Sequence, residues 1–353
     1  MLEKMENKNK RKVAIIFGGM STEHDVSIQS AYNVIYNIMK LKNYEPVPVV
    51  ISRNGEWYFY HGVINKEDMI KWFDNAERIL NIESFLKSVN IVFPVLHGLY
   101  GEDGTVQGML DMMNVPYVGS KVLSSALAMD KVYAKMIFDQ VGIKQAKYVY
   151  LKKDTDGKTV MVNKDFTSVN EQSEWMEHIE NFIGYPCFVK PSNSGSSIGV
   201  SKVLNKEELL SAISEACEYD NKILVEEEIK GREIECAILE DNTVQASVLG
   251  EVPKNDSFYS YDAKYNEGCL EPIVPADVDL PIVEKIQDLA LRAFKALDCR
   301  HVARVDFFVS DEEGEIYINE VNTLPGFTPQ SMYPKLWEAS GVSYEDLIEK
   351  LLS

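Results

Sequence analysis

The chain has 353 residues, 45% hydrophobic and 26% charged, a composition that suits a globular enzyme and a length that suits two or three domains. Its 36 Lys and Arg against 55 Asp and Glu leave a net charge of −19, which repels nucleic-acid phosphates and anionic lipid, so neither is an expected partner. The five cysteines are scattered with no C-x-x-C pair, residues 1–12 are charged without an apolar core, and no apolar run approaches the ~20 residues of a membrane span; free thiols in the cytoplasm are expected.

Residues 13–17 (VAIIF) form a continuous apolar run, the pattern of a parallel strand buried on both faces. Gly18-Gly19 turns the chain into a helix from about residue 25, whose Val26, Ala31, Val34, Ile35, Ile38 and Met39 have helical spacing. Thr22 with Asp25 resembles a capping box. Strands at 46–51 and 91–96 complete a β-α-β start, so residues 1–125 are expected to be a doubly wound parallel-sheet domain of α/β class. A helix over 124–141 opens a central unit, 126–221. Residues 152–180 are polar and read as a loop followed by a helix over 171–183. A strand at 187–190 enters a Ser/Gly-rich loop, 191–199, a strand at 200–203 leaves it, and a helix covers 206–219. The last unit, 222–353, is α+β: mainly strands, with helices at 282–297 and 344–352.

The strongest local signal is ARVDFFV, a short acidic turn, then EIYINEVN. Two strands joined across 310–314 form a hairpin. Pairing Val309 with Glu315 sets Arg304 opposite Glu320 and Asp306 opposite Ile318. Alternation then puts Arg304, Asp306, Glu320 and Asn322 on one face. Two carboxylates and a carboxamide make a hard oxygen set suited to Mg²⁺ holding phosphate oxygens, with Arg304 placed to stabilise charge on a transferring group. A bulge would break this parity.

The loop KPSNSGSSIG lets backbone N–H groups approach phosphates, with Lys190 as a point charge at the strand end. It is not a Walker A loop, because a strand follows it; the bland reading is a hairpin loop rich in turn formers. In VEEEIKGRE an apolar strand ends in acids, turns at Lys230-Gly231 and resumes at Ile234. Those acids either accept from an adenine amino group and ribose hydroxyls or form a solvated turn. FYSYDAKY, residues 258–265, is either a lid that excludes water or a satellite apolar cluster. Near the start, Gly18-Gly19-Met20-Ser21-Thr22-Glu23 offers a helix N-terminus for an anion, while Glu23 itself suits an ammonium or the helix dipole. G-x-G-x-x-G is missing, so a nicotinamide cofactor is not expected. His97-Gly98 and the loop Gly101-Glu-Asp-Gly104 mark another site edge.

Taken together, FGGMSTEHDVS, VFPVLHGLYGEDGTVQG, SSALAMDK, KPSNSGSSIGVSKV, VEEEIKGRE, FYSYDAKY, ARVDFF and INEVNTLPGFTPQSMYP resemble, in order and from about Val13 to the end, the D-alanine–D-alanine ligase family of the ATP-grasp superfamily. The resemblance implies that the central and C-terminal units form a two-part ATP-grasp fold. It implies that Lys131, Lys190 and Lys264 meet ATP phosphates, and that Glu226, the Ile229 backbone and Glu233 hold adenine and ribose. Asp306, Glu320 and Asn322 would bind two Mg²⁺ ions, for which Mn²⁺ is an expected substitute. Glu23 would hold the first D-alanine near His97, in a hydrogen-bonded group with Ser196 and Tyr265. Ser331 and Met332 would bind the second D-alanine; Arg304 and the Gly326 N–H would stabilise the tetrahedral intermediate. A homodimer acting in the cytoplasm on peptidoglycan precursors is implied as well.

Met332 and Tyr265 favour D-alanine as second substrate, since relatives that use D-serine or D-lactate often carry Arg or Phe at the matching places. Such a D-alanyl-D-serine or D-alanyl-D-lactate ligase is the nearest alternative reading; another ATP-grasp carboxylate–amine ligase or a non-catalytic nucleotide-binding module stand further off. Ser260 in place of an acid, and Asn193-Ser194 in place of a more charged pair, depart from the family pattern and bear on lid contacts.

Overall fold

The computed structural model describes residues 10–253, 271–311 and 314–353. The first sheet follows from the apolar run at the start of the chain. Strand β1 (Arg11–Gly18) pairs in parallel with β2 (Tyr44–Ile51) and β5 (Ile91–Pro94). Val13 to Phe17 are fully buried, because helices cover both faces. Two further strands, β3 (Trp57–Tyr60) and β4 (Ala76–Arg78), add antiparallel, giving the order β4-β3-β2-β1-β5. The expected parallel sheet is therefore mixed at one edge.

Helix α1 (His24–Lys40) lays Ala31, Val34, Ile35 and Ile38 on this sheet, each fully buried and each worth roughly 1–3 kcal/mol of burial. Met39, expected on the same stripe, faces solvent. The capping box does not form as expected. Glu23 takes the N-cap position without a side-chain cap bond, and Asp25 pairs instead with Arg53 at 2.8 Å. Helix α2 (Thr105–Met112) follows β5.

The helix expected over 124–141 is two helices, α3 (Val122–Met129) and α4 (Lys131–Gln140). Asp130 breaks them with extended backbone. Its carboxylate then caps α4 by accepting from the Val132 and Tyr133 N–H groups.

The second sheet is antiparallel, in the order β10-β9-β11-β6-β7-β8. Its members are β6 (Tyr148–Lys153), β7 (Thr159–Val162), β8 (Ser168–Val169), β9 (Cys187–Pro191), β10 (Ser201–Val203) and β11 (Lys222–Glu227). Part of the segment read as a loop, 152–180, thus supplies strands; β7 and β8 have only four and two residues, too short to show a period among the polar residues around them. Helices α5 (Gln172–Phe182) and α6 (Lys206–Ala216) cover one face through Trp175, Ile179, Leu209 and Ile213. The other face, carrying Tyr150 and Leu224, meets Val132 of α4.

The third sheet, β13-β12-β14-β15, is also antiparallel. It comprises β12 (Gly231–Glu240), β13 (Val244–Val252), β14 (Val302–Ser310) and β15 (Ile316–Asn322). Residues 228–230 therefore join two different sheets; they are not the tip of a hairpin. Helix α7 (Leu280–Ala296) buries its apolar stripe on one face of this sheet. A helix not expected from the sequence, α8 (Met332–Ala339), and α9 (Tyr344–Leu352) turn back to the start of the chain. Tyr333, Leu336, Leu347 and Ile348 share one core with Val34, Ile35 and Ile38. Among the described residues no helix is long and apolar enough to cross a membrane.

Candidate active site

One cavity of about 560 Å³ is walled by helix and loop residues of the first two parts of the chain and by strands of the third sheet. Glu23, His97 and Glu102 line it from the first part of the chain. Lys131 and Ser196 line it from the second, and Glu233, Glu235, Arg304, Glu320 and Asn322 from the third. Gly326, Ser331 and Met332 close one end.

Glu23 stands at the head of α1 with 8% of its surface exposed, and the Ser196 hydroxyl donates to its carboxylate. That bond ties the first domain to the glycine-rich loop. Ser196 and Ser197 sit at φ of 51° and 59°, a left-handed conformation that costs a non-glycine residue energy and that this contact helps to hold. Gly98 has φ of 72°, a conformation that favours glycine, and a Cβ there would lie 2.6 Å from Glu23 Oε2 and force that carboxylate to shift.

His97 is buried, as Leu96 is before it. Its Nδ1 lies 3.2 Å from the Leu324 carbonyl, which only accepts, so Nδ1 carries the proton and Nε2 accepts from the Ser30 hydroxyl at 3.1 Å. Burial lowers the His97 pKa against the opposing charge of Glu23, which keeps the ring neutral. Next to it, Glu102 accepts from the Gly98 N–H at 3.0 Å. Burial first, and the charge of Glu23 second, push its carboxyl up to about 8.

The expected shared face of Arg304, Asp306, Glu320 and Asn322 forms, but not by the expected register. Val309 pairs with Ile316, not Glu315, and Phe307 with Ile318. A bulge at Asn319 then shifts the pairing, so that Asp306 faces Glu320 and Arg304 faces Asn322. Without the bulge, Glu320 and Asn322 would continue the phase of Ile316 and Ile318 and point into the core beside α7. With it, they share the cavity face with Arg304 and Asp306. One strand over, Glu235 pairs in register with Asp306.

Arg304 donates from Nε and Nη2 to the two Asp306 oxygens, both at 2.8 Å, and its Nε lies 2.9 Å from Glu235 Oε2. Burial lowers the Arg304 pKa, but Asp306 and then Glu235 outweigh it and raise it well above the usual value. The Asn322 amide donates to Asp306 Oδ2 at 3.0 Å. Lys131 Nζ stands 3.3 Å from Glu320 Oε2 and donates to the Ser194 carbonyl at 2.8 Å.

Among the described residues no group of three or more His, Cys, Asp or Glu is arranged as a metal cage. Two carboxylates and a carboxamide are too few to close a shell. They fit magnesium, which demands hard oxygen and keeps several ligand positions for phosphate and water.

Lys190 and Glu226 do not line the cavity. They form a buried ion cluster on the α4 side of the second sheet, where Lys190 pairs with one Glu226 oxygen and Lys135 stands 3.2 Å from the other. Burial would raise the Glu226 carboxyl; the charges of Lys135 and Lys190 outweigh it and hold it at about 2. Ile229 lies in the short link between the second and third sheets, and Lys264 and Tyr265 lie outside the described residues. Ser331 holds the N-cap position of α8 and exchanges bonds with Thr328 at 3.0 Å, while Met332 is the first residue of that helix and is buried. A Cβ at Gly326 would lie 2.7 Å from Ser331 Oγ, so the backbone there approaches as only glycine allows.

The sequence models described as "D-ala D-ala ligase N-terminus" and "D-ala D-ala ligase C-terminus" match residues 12–120 and 137–353. The chain belongs to the D-alanine–D-alanine ligase family. Relatives in the family include D-alanine–D-alanine ligases of Acetivibrio thermocellus, 45% identical over 98% of this chain and 95% of that one, and of Clostridium acetobutylicum, 45% identical over 97% of each. Similar solved structures are the VanG D-Ala:D-Ser ligase of Enterococcus faecalis (36% identical, TM-score 0.83, covering 97% of this chain and 98% of that one) and the D-alanine–D-alanine ligase of Coxiella burnetii (31% identical, TM-score 0.82, covering 98% and 93%).

Three residues of this family member went unassigned in the sequence reading. Glu102 lay inside a loop already marked by its glycines. Glu235 follows Glu233 by two positions in a strand and so shares its face, a signal that alternation carries. Lys135 follows Lys131 by one helical turn.

Proposed function

We propose that this chain joins two D-alanine molecules to D-alanyl-D-alanine with hydrolysis of ATP to ADP and phosphate, in the assembly of peptidoglycan precursors. The observation that carries the reading is the shared face of β14 and β15. Arg304, Glu320 and Asn322 line the same cavity as Glu23 and the glycine-rich loop, and buried Asp306, opposite Glu320, is bonded to Arg304 and Asn322 just behind them.

In this reading Glu23 binds the ammonium of the first D-alanine, with neutral His97 beside it, and Ser196 fixes the carboxylate. Lys131, Lys190 and Lys264 meet the ATP phosphates; Glu226, Ile229 and Glu233 hold adenine and ribose. Asp306, Glu320 and Asn322 hold Mg²⁺, which when bound neutralises charge on the phosphates. The first carboxylate attacks the γ-phosphorus and ADP leaves, giving an acyl phosphate. The neutral amine of the second D-alanine, seated by Ser331 and Met332, attacks that carbonyl. Arg304 and the Gly326 N–H face the developing oxyanion, and phosphate leaves. Tyr265 belongs to the lid that keeps water from the acyl phosphate. The active protein is read as a cytoplasmic homodimer.

Purified protein with Mg²⁺ and ATP should release phosphate only when D-alanine is present; phosphate release indifferent to D-alanine would overturn the reading. The Enterococcus faecalis neighbour supports a second reading, D-serine as the second substrate. The buried apolar Met332 in the cavity wall favours D-alanine. Mass analysis of products from D-alanine mixed with D-serine or D-lactate separates the two.

A further inference from the structure

Lys131 and Lys135 project from the same side of α4, one turn apart, yet they do different things. Lys131 reaches the cavity. Lys135 is 2% exposed, lies over the Tyr148 ring at 5.3 Å, and stands 3.2 Å from Glu226 Oε2. Lysine is almost never this buried without a charged partner, and here the partner is already taken: Lys190 pairs with the other Glu226 oxygen. One carboxylate thus sits between two ammonium groups. A single lysine would neutralise it; the second is an excess cation that burial disfavours and that Glu226, with Asp139 further off, must hold in place. Burying charge is costly, and an excess charge asks for a reason.

The reason lies in the different freedom of the two lysines. Lys190 ends a strand at the mouth of the glycine-rich loop and is the more exposed, 11% against 2% for its side chain. We propose that Lys135 is the standing counter-ion of Glu226, holding that carboxylate in place while Lys190 exchanges it for a nucleotide phosphate. The inference rests on the proposed reading of Lys190 and Glu226 as nucleotide contacts. Lys135 touches neither ATP nor amino acid; it is a positioning residue. Without it, Lys190 stays bound to Glu226 and is withheld from the phosphates, because leaving a buried carboxylate unpaired is severely unfavourable.

Lys135→Met keeps length and apolar stem and removes the charge. It should raise the KM for ATP, and the calorimetric dissociation constant for ADP, about 10–100-fold. The KM for D-alanine, and kcat at saturating ATP, should stay within about threefold. In the Glu226→Gln background the same substitution should add little, since no carboxylate remains to be compensated. An unchanged ATP KM for Lys135→Met overturns the inference, and so does an equal rise in both backgrounds, which marks a structural role. Glu226→Gln alone reports on the underlying reading. If it leaves the ATP KM unchanged, Glu226 is no nucleotide contact; if it raises the KM while Lys135→Met does not, only the counter-ion role falls. Lys135→Gln, smaller and able to donate to Glu226, carries the same KM test if the methionine variant does not fold.

Discussion

Individual side chains in this cavity are set by their surroundings more than by their type. Glu102, one of several glutamates of the pocket, is pushed up to about 8 by burial and the nearby charge of Glu23. A carboxyl of this kind binds its proton more tightly in the folded than in the unfolded chain, where it titrates near 4.5. Its contribution to stability is complete at acid pH and declines as pH rises through the interval from about 4.5 to 8. Glu102→Gln keeps an acceptor for the Gly98 N–H and removes the titration. Its Tm relative to the parent should therefore improve steadily from about pH 5 to pH 8. A constant difference across that range would mean that Glu102 is ionised throughout. Glu320→Gln tests a different property. It retains the shape but loses charge facing Lys131 and the proposed metal, so kcat should fall about 100-fold or more. Tm should move by less than about 3 °C, and near-parental kcat would contradict the metal assignment.

Elements carry the next level of the design. Asp130 is a hinge in the chain: it ends α3, caps α4, accepts from Ser192 and pairs with Lys222. Asp130→Ala should cost more than Asp130→Asn by about 1 kcal/mol in urea unfolding, because asparagine still caps the helix and alanine does not. Equal losses would put the whole effect in the Lys222 pair. How much of this was readable in the sequence depends on distance along the chain. The apolar run at Val13, the helical stripe of α1 and the alternation in β14 are local patterns, and they gave correct elements. The same alternation brought Arg304, Asp306, Glu320 and Asn322 to one face, yet by the wrong pairing. No residue type announces the Asn319 bulge, whose one extra residue compensates for a hairpin register one residue off. Asp130 is equally hard to read, since a lone Asp inside a helical stripe looks like a solvated position until Lys222 and Ser192 arrive from the second sheet. Glu102 lay within a marked loop, but only the packed fold buries it.

At the scale of the whole molecule, the cavity exists because segments far apart in sequence converge on it. Phe327, one residue past Gly326, joins three regions: its ring lies 5.8 Å from Phe93, 5.4 Å from Tyr333 and 6.3 Å from Tyr344. Phe327→Ala should cost about 3–5 kcal/mol in denaturant unfolding. A loss under about 1 kcal/mol would mean that the first domain and the C-terminal helices hold together without it. The same convergence has a consequence for synthesis. Arg11 bonds to the carbonyl of Leu352, a contact spanning 341 positions, and α9 covers the apolar side of α1. A nascent chain on the ribosome has its earliest strand and helix ready long before their partner emerges. Helix α1 can pack on the first sheet early, but the side of it that meets α9 waits for residues 344–352, far along the chain, so this core is completed late and a chaperone that shelters such surface has the longest claim on the earliest residues made.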